Sequence, residues 1–106
     1  MDSQAILDIS VEVIREECQA QGLSVSQIIL YGSQSRGDAR PDSDWDFLVV
    51  VDKELRFPEK AAVAARVQTR LAEQYIPVDI VIKSEKRAQL EKENVGVITY
   101  YALKDG

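Results

Sequence analysis

The heptapeptide Trp45-Asp46-Phe47-Leu48-Val49-Val50-Val51 places an aspartate inside an otherwise apolar stretch, with Asp44 and Asp52 at its two ends. Phe47 to Val51 is among the longest uninterrupted apolar runs in the chain, and it is far too short to cross a membrane. A run of this length, rich in β-branched residues and bounded by turn-forming aspartates, reads as a buried strand. Side chains alternate along a strand, so Asp44 and Asp46 share one face. Trp45, Phe47 and Val49 share the other, where a helix can cover them. The fold must therefore supply helices for the apolar face and a reason for two carboxylates beside each other.

The flanking sequence supplies the helices. From Ser3 to about Gln21, Ile6, Ile9 and Val13 recur at helical spacing, with Leu7, Val11, Ile14 and Cys18 beside them. Ser3 is the expected cap, and Gly22 can close the helix in the left-handed conformation. Ile28 to Tyr31 reads as a short buried strand, and Gly32 to Ser43 as a loop. Pro58 suits a helix first turn. Ala61, Ala65, Ala72 and Tyr75, with Val67 and Leu71, form the expected apolar face, and Pro77 is the expected breaker. Val78 to Ile82 is a third strand, Ser84 caps a last helix through Leu90, and an apolar segment with Tyr100 and Tyr101 follows.

The expected order is α-β-loop-β-α-β-α. The long helical crossover makes the second and third strands parallel. Asp44, Asp46 and Asp79 then lie at one end of the sheet. Strand one must run antiparallel to bring Gly32-Ser33 to that end. The fold class is thus α/β (α+β): a small mixed sheet of about three core strands backed by helices. No repeat or low-complexity tract divides the chain, so residues 1–106 are expected to form a single domain.

Composition removes whole classes of chemistry. There is no histidine, so Ser-His-Asp and Cys-His catalysis and His-liganded metals are excluded. The single cysteine, Cys18, allows neither an intrachain disulfide nor a Cys-cluster zinc site, and its place on the helical stripe reads as core packing. Lys and Arg number 13 against 18 Asp and Glu, a net charge of −5, which argues against strong nucleic-acid binding. The N-terminus lacks a basic secretory n-region, so the expectation is a soluble cytoplasmic chain with no membrane attachment.

What remains is carboxylates, hydroxyls, backbone amides and Arg or Lys. Two aspartates on one strand face repel each other, and a divalent cation between them relieves that repulsion. Oxygen donors suit Mg²⁺, with Mn²⁺ as an alternative. An isolated Asp-x-Asp is more often a pair of solvated strand-entry residues. Gly32-Ser33 offers close backbone approach, amides and a hydroxyl to a phosphate, although such a pair alone is an ordinary turn. Arg36 can reach a triphosphate or simply face solvent. Asp79 changes the balance, because it sits between Val78 and Ile80 where an unpaired carboxylate is unfavourable. Three carboxylates beside a phosphate-binding turn point to two-metal phosphoryl chemistry. Lys83, Lys86 and Arg87 read better as a solvated helix start than as a phosphate site. Tyr100-Tyr101 is equally a core end or a partner surface.

The stretch from Leu30-Tyr31-Gly32-Ser33 through Arg36-Gly37-Asp38-Ala39 to Ser43-Asp44-Trp45-Asp46-Phe47-Leu48-Val49-Val50 resembles the signature of minimal nucleotidyltransferases of the DNA polymerase beta-like superfamily. The order of elements and Asp79 as a late third carboxylate extend that resemblance over most of the chain. It implies that Gly32 and Ser33, with Arg36 nearby, hold the nucleotide phosphates. Asp44 and Asp46 would ligate two Mg²⁺ ions. Asp79 would ligate the catalytic ion and help activate the attacking hydroxyl. Gln34 stands where many relatives carry a basic residue, and Trp45 is larger than the usual aliphatic. The implied reaction is transfer of a nucleoside monophosphate, AMP from ATP foremost, to a hydroxyl. Stand-alone members of this length resemble antitoxins paired with small helical HEPN proteins, so the acceptor is expected on such a partner or on a second copy. A non-catalytic antitoxin of the same fold, and transfer to a small molecule such as an aminoglycoside, are the rival readings.

Overall fold

The apolar heptapeptide becomes strand β2 (Trp45–Val51), the middle strand of a three-stranded sheet. Both of its backbone edges are paired, with β1 (Val25–Tyr31) antiparallel on one side and β3 (Val78–Ser84) parallel on the other. The computed structural model describes residues 2–31 and 44–91. Around the sheet lie α1 (Ser3–Ala20), α2 (Phe57–Ala72) and α3 (Glu85–Glu91), in the chain order α1-β1-β2-α2-β3-α3. This is the small mixed α+β sheet expected from the sequence, with the first two strands antiparallel and the second and third parallel. None of the described helices is long and apolar enough to cross a membrane.

Every residue of β2 except Asp46 is buried, because the sheet is covered on both sides. On one side Trp45, Phe47, Val49 and Val51 meet Val13, Ile14 and Cys18 of α1 and Val63, Val67 and Leu71 of α2. On the other, Leu48 and Val50 join Ile29 and Ala88, with Tyr31 and Val81 packed against them. Each large side chain buried here contributes roughly 1.5–3 kcal/mol. The ion pairs between the helices contribute far less. Arg70 reaches Glu16 at 2.8 Å and Glu17 at 3.0 Å, and Arg66 reaches Glu17 at 3.4 Å. Both arginines stay about half exposed, so solvent screens each pair and little stability comes from it. Apolar burial, not charge, holds α1 against α2.

Some local expectations change. The cap of α1 is Asp2 rather than Ser3: its carboxylate accepts from the Ala5 N–H at 2.8 Å. Strands β1 and β3 each run beyond the residues assigned from sequence, to Val25 at the start of β1 and to Ser84 at the end of β3. The covered face of α2 is Val63, Val67 and Leu71, whereas Ala61, Ala65, Ala72 and Tyr75 are exposed. Branched side chains bury more apolar area than alanine, and they decide which way the helix turns. The last helix is capped as expected, with the Arg87 N–H donating to Ser84 Oγ at 3.1 Å.

Pro77 does not end α2. The helix closes earlier, in a turn where Tyr75 N–H donates to Ala72 O at 2.9 Å and Ile76 N–H to Leu71 O at 3.0 Å. Helix α1 ends in the same way, through Gly22 to Gln19 and Leu23 to Cys18. That double bond pattern requires a left-handed residue after the helix. Gly22 supplies it at φ +74°, and Tyr75 supplies it at φ +62°. A tyrosine there bears a Cβ clash that glycine avoids. With its side chain 94% exposed, Tyr75 gains little packing in return. Tyr75→Gly is therefore expected to raise stability by about 1 kcal/mol, read from the urea unfolding midpoint at unchanged slope.

Candidate active site

The register of the sheet builds the site. Tyr31 of β1 stands opposite Asp46 of β2, and Asp46 stands beside Asp79 of β3. Directly paired residues on neighbouring strands face the same side, so the three form one row across the sheet. Asp44 lies immediately before β2, and two-residue periodicity puts it on the same face. It is exposed, as is Asp79, whereas Asp46 is half-buried. The two expected carboxylates, drawn from strands joined by a helical crossover, thus meet side by side. Tyr31 joins the row through register alone, as the last residue of an antiparallel strand whose end meets the start of β2.

The row is electrostatically loaded. Burial, then the charges of Asp79 and Asp44, push the Asp46 carboxyl above its ordinary value. Burial, then Asp46 and Asp79, push the Tyr31 phenol up to about 12. Among the described residues no group of three or more His, Cys, Asp or Glu stands arranged to hold a metal ion. The donor chemistry nonetheless fits a hard divalent cation: the row offers carboxylate oxygens without nitrogen or sulfur ligands, and Asp46 carries an excess of negative charge around it. Gly32, Ser33 and Arg36 lie outside the described residues, as do Tyr100 and Tyr101. A cleft of about 600 Å³ lined by Asp52, Glu54, Ser84, Arg87 and their neighbours opens at the opposite end of β2 and β3. Arg87 there pairs with Glu54 at 3.2 Å, so the basic residues of α3 sit away from the carboxylate row.

The pattern that defines the nucleotidyltransferase domain matches residues 11–103, most of the chain. The chain belongs to the nucleotidyltransferase domain family. Solved structures agree with this nucleotidyltransferase in fold. A crystal structure of a toxin–antitoxin with AMP-PNP matches 90% of this chain and 79% of its own, at 22% identity and a TM-score of 0.52. A mutant of the toxin–antitoxin MntA–HpeT matches 92% of this chain and 82% of its own, at 19% identity and a TM-score of 0.52. No curated protein matches the chain. Nucleotidyltransferases of this family typically use divalent metals.

The raised Asp46 carboxyl fixes the sign of a pH effect on the nucleotidyltransferase. The folded state holds that proton more tightly than the unfolded chain does. The resulting stabilisation is complete below the unfolded carboxylate value and is lost as pH rises through the folded one. At neutral pH the row opposes folding. Asp79→Asn removes one of the two charges acting on Asp46, so the metal-free variant should be more stable at neutral pH. The gain is on the order of 0.5 kcal/mol, since these groups are screened by solvent. The difference from wild type should shrink on acidification and in high salt. Urea unfolding of both proteins at neutral and acidic pH reads it directly.

Proposed function

We propose that this nucleotidyltransferase transfers AMP from ATP to a hydroxyl of a partner protein, as the antitoxin of a toxin–antitoxin pair. The observation that carries the reading is the in-register pairing of Asp46 with Asp79, with Asp44 two residues away, in a chain of the nucleotidyltransferase domain family. A like-charge row costs the free protein stability, and a binding module has no use for it. Residues 1–106 would act as one catalytic domain.

Asp44, Asp46 and Asp79 would hold two Mg²⁺ ions, which when bound neutralise phosphate charge and lower the pKa of the attacking hydroxyl. Asp79, at the exposed end of the row, would position the acceptor hydroxyl and take up its proton. The acceptor oxygen bonds to the α-phosphorus, the bond from that phosphorus to the bridging oxygen breaks, and pyrophosphate leaves. Gly32 and Ser33 would hold the triphosphate with backbone amides and a hydroxyl, and Arg36 would add a cation.

The setting is supported by the structural neighbours. One is a toxin–antitoxin with AMP-PNP, and the other carries two Asp-to-Glu changes two positions apart, the spacing of Asp44 and Asp46. A small helical HEPN-type protein is the partner we favour, and a cytoplasmic location suits such a pair.

Incubation with α-labelled ATP, Mg²⁺ and the co-purifying partner tests the reading. Label should appear on a protein band and vanish with Asp46→Asn and with Asp79→Asn, while both variants stay folded by circular dichroism. Label on a soluble small molecule would point to an aminoglycoside-like acceptor. Association with the partner in the complete absence of transfer would make the chain a non-catalytic antitoxin. Ser33→Ala should weaken ATP binding by roughly 1–2 kcal/mol, the scale of one hydrogen bond to a charged group. Isothermal titration of wild type and variant with a non-hydrolysable ATP analogue checks this.

A further inference from the structure

We propose that Tyr31 is a nucleotide-binding residue, whose hydroxyl donates a hydrogen bond to the triphosphate of the NTP lying over the Asp46–Asp79 row. The inference rests on the nucleotidyl-transfer reading above and extends it to a residue outside the carboxylates and the glycine-serine turn.

Three observations carry it. Tyr31 is paired directly with Asp46, so it occupies the third place in the row, next to β2 on the side away from Asp79. It is also the last residue of β1, at the same end of the sheet as Asp46 and Asp79. Its ring packs against the cluster of Ile29, Leu48, Val50 and Ala88, while its hydroxyl stays within the electrostatic reach of both Asp46 and Asp79.

Packing alone explains the ring but not the hydroxyl. Phenylalanine would fill the same place against Leu48 without a polar atom to desolvate. A phenol is a neutral donor at physiological pH, which suits it to a row otherwise made of carboxylates. An incoming triphosphate is acceptor-rich and is repelled by Asp46 and Asp79. A donor set beside them gives one of its oxygens a favourable contact without adding charge to the row.

The test uses Tyr31→Phe and Tyr31→Leu, with the α,β-methylene analogue of ATP and Mg²⁺ as the probe in calorimetry. Melting curves without nucleotide are recorded for each protein. Tyr31→Phe should bind the analogue roughly 5- to 10-fold more weakly, the loss of one hydrogen bond, while its apo melting temperature equals or exceeds wild type. Tyr31→Leu should lose the same affinity and also melt earlier, since it removes the ring. Wild-type affinity in Tyr31→Phe would overturn this inference and leave the transfer reading intact. A fall in the apo melting temperature of Tyr31→Phe would also overturn it, by making the hydroxyl structural. If wild type itself bound no nucleotide, the transfer reading would fall and this inference with it.

Discussion

Strand β2 is the reference to which the rest of the molecule is aligned. It donates and accepts on both edges, it is buried on both faces, and its one polar side chain is Asp46. A strand in that position cannot slip by one residue without turning Phe47 and Val49 out of the helix-covered core. The register that satisfies the core therefore also fixes which residues of β1 and β3 face Asp46. Positioning of the site is a by-product of packing, and no separate device is needed to bring Asp79 to it.

The cost of that arrangement is visible in the same residues. Asp46 is half-buried beside a second carboxylate, and its proton is held more tightly as a result. The core tolerates this because the apolar burial on both faces of β2 outweighs a partly screened repulsion at one end of the strand. Local strain is handled similarly at Tyr75. There a left-handed tyrosine is held by two backbone bonds that close α2 and bring the chain round to β3, and Trp45 N–H bonds to Pro77 O at 2.9 Å to extend the ladder.

Much of this was legible in the sequence, for identifiable reasons. The bounds of β2, the parallel pairing with β3 and the approach of Asp46 to Asp79 follow from one apolar run, one crossover and two-residue alternation. The glycine at the end of α1 announced its turn. The face of α2 is only partly legible, because alanine is compatible with either side of a helix: Val67 and Leu71 are buried as expected, whereas Ala61, Ala65 and Ala72 are not. The end of α2 was hidden because tyrosine is not the residue that usually marks a left-handed turn, and Pro77 offered a more familiar stop. The place of Tyr31 beside Asp46 is not legible in the sequence, because it depends on register, which emerges only when the strands are paired.

The double pairing of β2 also sets where in the molecule disorder can enter. Segments open in order of their local stability, and the last to open are strands with both edges bonded and both faces covered. Asp46 rides on such a strand, and Asp79 is joined to it by the ladder. Fraying of α3, or breathing of the turns at Gly22 and Tyr75, leaves the two carboxylates at their spacing. The row comes apart only when β3 leaves β2, a step that breaks the parallel ladder and uncovers Ile80 and Ile82.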